Sequence, residues 1–191
     1  MEISRVIYSD EKASYYPVYT PDIVFAKRET GDLKLQLLSP IPTDMPQKPR
    51  KSVFSELIKQ GKWQPPAKDP RKFPLIVNVP GSGWSGTEGY SGIPKLAEIA
   101  KLGFVVASIA YRGTFEDDVR FPAAVQDTKE AIRFLRANAE MFHIDPDHVM
   151  LLGDSSGGHT AAMAALTGDE ERFNIGGHLD QRTDVNACCI F

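Results

Sequence analysis

Short apolar runs alternate with amphipathic segments along the second half of the chain. The runs predict buried strands at Leu75 to Val79, Phe104 to Ala110, His148 to Leu152 and Val185 to Phe191. Between them, periodic apolar positions predict a helix from Pro94 to Leu102 and a longer one from about Pro122 to Phe142. This alternation is typical of an α/β fold with a mostly parallel sheet covered by crossover helices.

The longer helix has two clearly different faces. Its apolar stripe consists of Val125, Thr128, Ile132, Leu135, Ala139 and Phe142. The charged residues Lys129, Glu130, Arg133 and Arg136 are predicted to face away from that stripe. We interpret the stripe as core packing, without a catalytic role.

The amino-terminal part has a different pattern. Stretches from Ile23 to Lys27 and from Asp32 to Leu38, joined by a turn at Thr30-Gly31, predict an antiparallel hairpin. Residues 40–74 are rich in proline and are interpreted as a surface insertion with one short helix from Ser52 to Lys59. We expect residues 1–191 to form a single domain.

Composition narrows the class of protein. The chain has 191 residues, of which 42% are hydrophobic and 25% charged, within the ordinary globular range. Its net charge of -3, without a basic stripe, argues against nucleic-acid binding. No apolar run approaches the ~20 residues of a membrane span, and the amino terminus lacks the pattern of a secretion signal. The two cysteines, Cys188 and Cys189, are adjacent and unsuited to a disulfide framework, which favours a reducing, cytoplasmic location.

The most specific motif is a G-x-S-x-G pattern from Gly153 to Gly157, followed by Gly158. A predicted buried strand precedes it and an alanine-rich helix follows it. A serine on a sharp strand-to-helix turn projects its hydroxyl above the sheet, as in a nucleophile elbow. The pattern therefore predicts Ser155 as a nucleophile, with Asp154 bracing the turn and the Ser156 N–H directed at an oxyanion. A glycine- and serine-rich turn without chemistry is the alternative.

A second glycine-rich loop, Pro80 to Gly86, follows the first predicted parallel strand. Its consecutive amides could hold an oxyanion or a phosphate. The alternative is a dinucleotide fingerprint formed by Gly81, Gly83 and Gly86, with Arg112 reading a 2′-phosphate. Against it, helical periodicity starts only after Pro94, well beyond the glycines. We predict neither a cofactor nor a metal.

Together these motifs resemble the alpha/beta-hydrolase esterases and lipases. The resemblance is to the bacterial branch related to hormone-sensitive lipase and to acetyl-xylan, feruloyl and kynurenine-formamide hydrolases. It rests on the loop ending in Trp84, on Tyr111-Arg112 and on Gly153 to Gly158, and it runs from about Phe73 to the last residue. It implies Ser155 as nucleophile, an oxyanion hole of Ser82, Gly83 and Ser156 amides, and Trp84 on the substrate side. Where that family's loop usually reads His-Gly-Gly-x-Trp, this chain has Pro80 and Ser82 in place of the histidine and the second glycine.

The same resemblance implies an acid and a histidine after the next two strands. The chain offers neither in recognisable form. His143 and His148 are expected at the far end of the elbow strand, His159 one turn into the following helix, and His178 in a loop of open position. We therefore expect a carboxy-terminally truncated hydrolase domain that is weak or inactive by itself.

Two functional hypotheses follow. The first is a serine esterase that acts on small-molecule esters through an acyl-enzyme on Ser155. The second is a non-catalytic interaction protein, or a fragment completed by a second chain, that pairs through the strand Val185 to Phe191.

Overall fold

A computed structural model describes residues 15–42, 71–115, 118–168 and 170–191. The strands are β1 (Tyr15–Arg28), β2 (Gly31–Pro42), β3 (Phe73–Val79), β4 (Val105–Ile109), β5 (Ile144–Gly153) and β6 (Ala187–Ile190). The helices are α1 (Ile93–Ala100), α2 (Ala123–Ala137) and α3 (Ser155–Leu166), and a 3₁₀ turn spans Glu171–Phe173.

The described strands form one sheet in the order β1-β2-β4-β3-β5-β6. The hairpin β1-β2 is antiparallel and β2 also pairs antiparallel with β4. From β4 to β6 all neighbours are parallel. β3 therefore lies between β4 and β5, and the loops after these three strands meet at one edge of the sheet.

Helices cover both faces of the sheet, as expected for apolar strands buried on two sides. α1 packs on one face, where Leu96 and Ala100 contact Leu38, Ile76 and Val106. The larger core on the other face takes Val125, Ile132 and Leu135 from α2 and Ala161 and Ala164 from α3. The predicted α/β fold, a mostly parallel sheet with an amino-terminal antiparallel hairpin, is confirmed.

Several predicted boundaries are corrected. β1 begins at Tyr15 instead of Ile23, because its exposed first half pairs with the end of β2 in spite of its polarity. The long helix ends at Ala137, since residues 138–143 form turns. Of the residues 40–74, the first three belong to β2 and the last two to β3, while the predicted helix Ser52 to Lys59 lies outside the described residues.

The charged face of α2 is the main correction to the sequence-based expectation. Lys129, Glu130, Arg133 and Arg136 are only 0%, 4%, 1% and 5% exposed. The segment after α3 folds over them, and Glu130 and Arg136 also contact residues of β1 and β5. Lys129 Nζ donates to the Gly168 carbonyl at 2.6 Å, and Arg133 Nε donates to that of Gly177 at 2.9 Å. Main-chain carbonyls thus accept the hydrogen bonds that these charged groups would make to water on an exposed helix face.

Candidate active site

Ser155 lies on a sharp turn between β5 and α3. β5 ends at Gly153, Asp154 is extended with φ -116° and ψ 150°, and Ser155 begins the helix with φ 49°. A positive φ is unfavourable for a residue with a Cβ and persists only where the surroundings impose it. Here the Ser155 N–H donates to the Phe191 carbonyl at 2.9 Å and the Gly158 N–H donates to that of Asp154 at 2.9 Å. The side chain of Ser155 is exposed as a result.

Gly157 allows α3 to approach the end of β3 closely. A Cβ at this position would lie 2.1 Å from the Val79 carbonyl oxygen and 2.7 Å from the Pro80 carbonyl carbon. Any larger residue would therefore push the helix away from the strand. The close approach brings the predicted elbow, Gly153 to Gly158, against the second glycine-rich loop.

The loop after β3 is bonded directly to the elbow. The Gly81 N–H donates to Asp154 Oδ1 at 2.9 Å, and the Ser82 N–H donates to Ser156 Oγ at 3.0 Å. A Cβ built on Gly81 would lie 3.0 Å from Ser155 Cβ. The two motifs are thus neighbours in the fold, although Ser82 and Ser156 are 74 residues apart in the sequence.

The amides predicted to form an oxyanion hole differ in their availability. The Gly83 N–H has no hydrogen-bond acceptor among the described residues. Ser156 is the second residue of α3. Its N–H therefore has no acceptor within the helix, because the residue four positions earlier lies before the helix begins. The Ser82 N–H already donates to Ser156 Oγ. Gly83 and Ser156 therefore offer the free amides beside Ser155.

A buried tyrosine lies beneath the same loop. Tyr111 is 2% exposed, its hydroxyl donates to the Pro80 carbonyl at 2.6 Å, and it lies 2.9 Å from Ser82 Oγ. Burial raises the pKa of this phenol above its ordinary value, so it stays protonated at neutral pH. The sequence indicated Tyr111 only as part of the family resemblance, without a role.

A cavity of about 350 Å³ opens beside Gly83. Trp84 stands at its wall, 46% exposed, and the His159 ring meets it edge-on with the ring centroids 5.6 Å apart. Further along, the wall is mostly apolar and contains the residues Arg112, Phe115, Phe121, Pro122 and Val125. His159 and Thr160 also line this space, so the cavity adjoins the helix that begins at Ser155. A cavity of this size can take a substituent of a small molecule.

None of the four histidines hydrogen-bonds Ser155 among the described residues. His143 and His148 lie at the start of β5, where His148 Nδ1 pairs with Asp145 Oδ2 at 2.7 Å. His178 lies edge-on to Phe134, near the carboxyl end of α2, whereas the amino end of α2 lines the cavity. His159 contacts Trp84. The described residues thus provide a candidate nucleophile and amide donors, and no placed base.

A buried ion cluster lies behind the cavity wall, and the sequence did not indicate it. Asp127 is 0% exposed and accepts hydrogen bonds from the Arg112 main chain at 3.0 Å and from its Nε at 2.9 Å. Arg28, from the end of β1, donates to the same carboxylate at 2.9 Å and also pairs with Glu130. Asp127 thus fixes the strand end that carries Tyr111 and Arg112 to α2.

The same cluster bears on the dinucleotide alternative. Arg112 is bonded to Asp127 through three groups, so it does not offer a free guanidinium for a 2′-phosphate. α1 begins at Ile93, several residues after Gly86, so the glycines do not open a helix. Both observations weigh against a dinucleotide site.

The described residues contain no group of three or more histidine, cysteine, aspartate or glutamate side chains arranged to hold a metal ion. In the same residues, every helix is too short or too polar to cross a bilayer.

The fold and the elbow define an alpha/beta-hydrolase. More narrowly, residues 63–189 match the model of the BD-FAE family, and the chain belongs to that family.

Curated relatives and solved structures agree with this assignment. The chain is 31% identical over 104 residues to the probable carboxylic ester hydrolase LipM of Mycobacterium tuberculosis, covering 54% of this chain and 24% of LipM. It is 32% identical over 118 residues to the esterase LipC of the same organism, covering 61% and 28% of the two chains. The match thus spans about a quarter of these relatives' length.

Among solved structures, the propionate-bound esterase Est2 of Thermogutta terrifontis has a TM-score of 0.67 and 25% identity. The match covers 95% of this chain and 54% of Est2.

Proposed function

We propose that this protein is a serine carboxylic-ester hydrolase that acts on small-molecule esters through an acyl-enzyme on Ser155. The observation that carries the proposal is the position of Ser155, exposed at positive φ and adjacent to Gly81 in the glycine-rich loop that also carries the free Gly83 amide. Hydrolases of this fold need their nucleophile in this conformation. The carboxylic ester hydrolase and esterase names of LipM and LipC support the same chemistry.

In the proposed reaction, Ser155 Oγ attacks the carbonyl carbon of the ester and its proton passes to a base. The carbonyl π electrons move to oxygen, and the resulting oxyanion accepts hydrogen bonds from the Gly83 and Ser156 amides. Collapse of this intermediate breaks the bond to the alcohol oxygen, which leaves as the protonated alcohol. Water then attacks the acyl-Ser155 ester in the same way and releases the acid.

Each oxyanion donor makes a defined contribution in this mechanism. Loss of one such donor typically costs on the order of 10² to 10³ in turnover. Ser82 was predicted as a third donor, and that role stays a prediction because its N–H is bonded to Ser156 Oγ. The described residues contain no candidate for the general base that takes the proton of Ser155. We therefore expect slow turnover and rely on covalent labelling as the test.

A fluorophosphonate probe tests the proposal directly, because it phosphonylates an activated serine. Mass spectrometry should find one adduct on Ser155, and Ser155→Ala should abolish it. Ser91→Ala, at an exposed serine in the loop before α1, is the matched control and should leave labelling unchanged. Because attack on phosphorus also requires Ser155 to lose its proton, labelling should be slower than in an intact esterase of this fold and is followed over a long incubation. Absence of any adduct on Ser155 above the level in Ser155→Ala at the end of that incubation would contradict the proposal.

Two further predictions concern the location of the protein and its partners. Cys188 and Cys189 are both free and exposed, as thiols in a reducing compartment are. All four residues of β6 are exposed, which keeps pairing through Val185 to Phe191 open as the alternative function. Light scattering that finds only monomer would remove that alternative.

A further inference from the structure

The glycine-rich loop after β3 is fixed at three successive residues before the free amide of Gly83. The Pro80 carbonyl accepts from Tyr111, the Gly81 N–H donates to Asp154, and the Ser82 N–H donates to Ser156. A loop with so much glycine has many accessible backbone conformations. These bonds select the one in which Gly81 lies against Ser155 and Gly83, two residues further on, has φ 63° and a free N–H.

The protons of the Tyr111 contacts can be assigned from chemistry. A carbonyl only accepts, so the single phenolic proton of Tyr111 goes to Pro80 at 2.6 Å. The Ser82 hydroxyl, 2.9 Å away, must then donate to the phenol oxygen. Tyr111 therefore holds the loop twice, once as donor and once as acceptor, and the bond to Pro80 needs the phenol to be neutral.

Tyr111 supplies the contacts that do not come from the elbow. Asp154 and Ser156 flank Ser155 and move with it, whereas Tyr111 follows β4 and is fixed by its own burial at 2% exposure. Its neighbour Arg112 is fixed to α2 by Asp127. The loop is thus held by the elbow and by the residues after β4, and these two parts also contact each other through Tyr111 and the Ser156 side chain.

From this arrangement we infer that Tyr111 is a positioning residue for the oxyanion hole, acting on the Gly83 amide through Pro80 and Ser82. The inference rests on the proposed esterase function for its catalytic consequence. Its structural part, the anchoring of residues 80–83, stands independently of activity. A donor displaced by about 1 Å typically costs on the order of 10²-fold in rate.

The test is Tyr111→Phe, which removes the hydroxyl and keeps the buried ring. We expect amide hydrogen exchange at Gly81 and Ser82, whose N–H groups are hydrogen-bonded, to accelerate on the order of 10-fold, because two loop anchors are lost. We also expect the rate constant for phosphonylation of Ser155 to fall roughly 10- to 100-fold. The probe's apparent dissociation constant should change less than about twofold, since the cavity wall is unaltered.

Tyr19→Phe is the matched control, because Tyr19 also donates a phenolic bond, to Gln36 Oε1 at 2.8 Å, but on β1 and away from the site. It should leave both readouts unchanged. Where Tyr111→Phe does not fold, Ser82→Ala removes one of the two phenol contacts and should accelerate exchange at Gly81 and residue 82 to a smaller extent.

The two proposals fail in different ways. A wild-type chain without any Ser155 adduct contradicts the esterase function, while the exchange measurement still decides the role of Tyr111. Unchanged exchange at residues 81 and 82 in a folded Tyr111→Phe protein, or in Ser82→Ala where that variant stands in, overturns the inference. A weakened probe affinity with an unchanged labelling rate constant also overturns it, since that pattern belongs to the cavity and not to the oxyanion hole.

Discussion

Gly157→Ala should be among the most damaging single-methyl additions in this fold. The added Cβ would lie 2.1 Å from the Val79 carbonyl oxygen, where ordinary contact begins at 3.4 Å. Both partners are backbone atoms, so no side chain can rotate away. α3 and the end of β3 would have to separate by about 1.3 Å.

The cost of that separation follows from the bonds that cross the gap. The bond from Gly81 to the Asp154 carboxylate is worth about 1.5–3 kcal/mol, and the neutral bond from Ser82 to Ser156 about 1 kcal/mol. Overpacking adds about 1–3 kcal/mol, and the better helix propensity of alanine returns about 1 kcal/mol. We therefore expect the free energy of unfolding to fall by roughly 3–5 kcal/mol.

Urea unfolding followed by circular dichroism measures this loss, and Gly158→Ala is the control one residue further along α3. At Gly158 the nearest backbone atom to a new Cβ is the Gly153 oxygen at 3.1 Å, so the change should stay within about 1 kcal/mol. With a slope near 2 kcal/mol per molar urea, Gly157→Ala should shift the midpoint by about 2 M. Equal midpoints for the two variants would refute the close approach of the elbow helix to β3.

Three further variants test other parts of the account. Asp127→Asn leaves the guanidinium of Arg28 poorly paired in a buried site, so the free energy of unfolding in urea should fall by about 3 kcal/mol. Glu98→Gln, at an exposed ion pair, is the control and should lower it by less than about 0.5 kcal/mol. Equal losses in the two variants would contradict the buried ion cluster. Arg133→Met should accelerate amide exchange at residues 175–177 about 10-fold, and unchanged exchange would mean that other contacts hold this segment over α2. The raised pKa of Tyr111 stabilises the fold below pH ~10 and this contribution is lost as pH rises through the folded-state value. The advantage of wild type over Tyr111→Phe in thermal unfolding should therefore shrink above pH ~10, and a constant difference would argue against a buried neutral phenol.

The sequence predicted the features of the fold that depend on local pattern. The apolar runs of β3, β4 and β5 and the strand-to-helix glycines around Ser155 are visible in order along the chain. The proximity of the two glycine-rich loops was implied by the family resemblance, which places amides of both in one oxyanion hole. These signals are local, so one sequence suffices to find them.

The features that were missed depend on contacts between distant segments. Charged residues of α2 were predicted to face away, because amphipathicity carries no information on a later segment that covers them. The pairing of Asp127 with Arg28 joins residues 99 apart, and neither residue type signals a partner. Tyr111 likewise has a role only once Pro80 and Ser82 are brought onto it by the sheet order.

A crystal structure of the chain after reaction with a phosphonate ester would show whether Ser155 is the nucleophile and which amides bind the oxyanion. We expect phosphorus bonded to Ser155 Oγ, with the phosphonyl oxygen about 2.7–3.1 Å from the Gly83 and Ser156 nitrogens and the side group in the cavity beside Trp84. A phosphonyl oxygen directed to solvent, or phosphorus bonded to a different residue, would contradict this expectation.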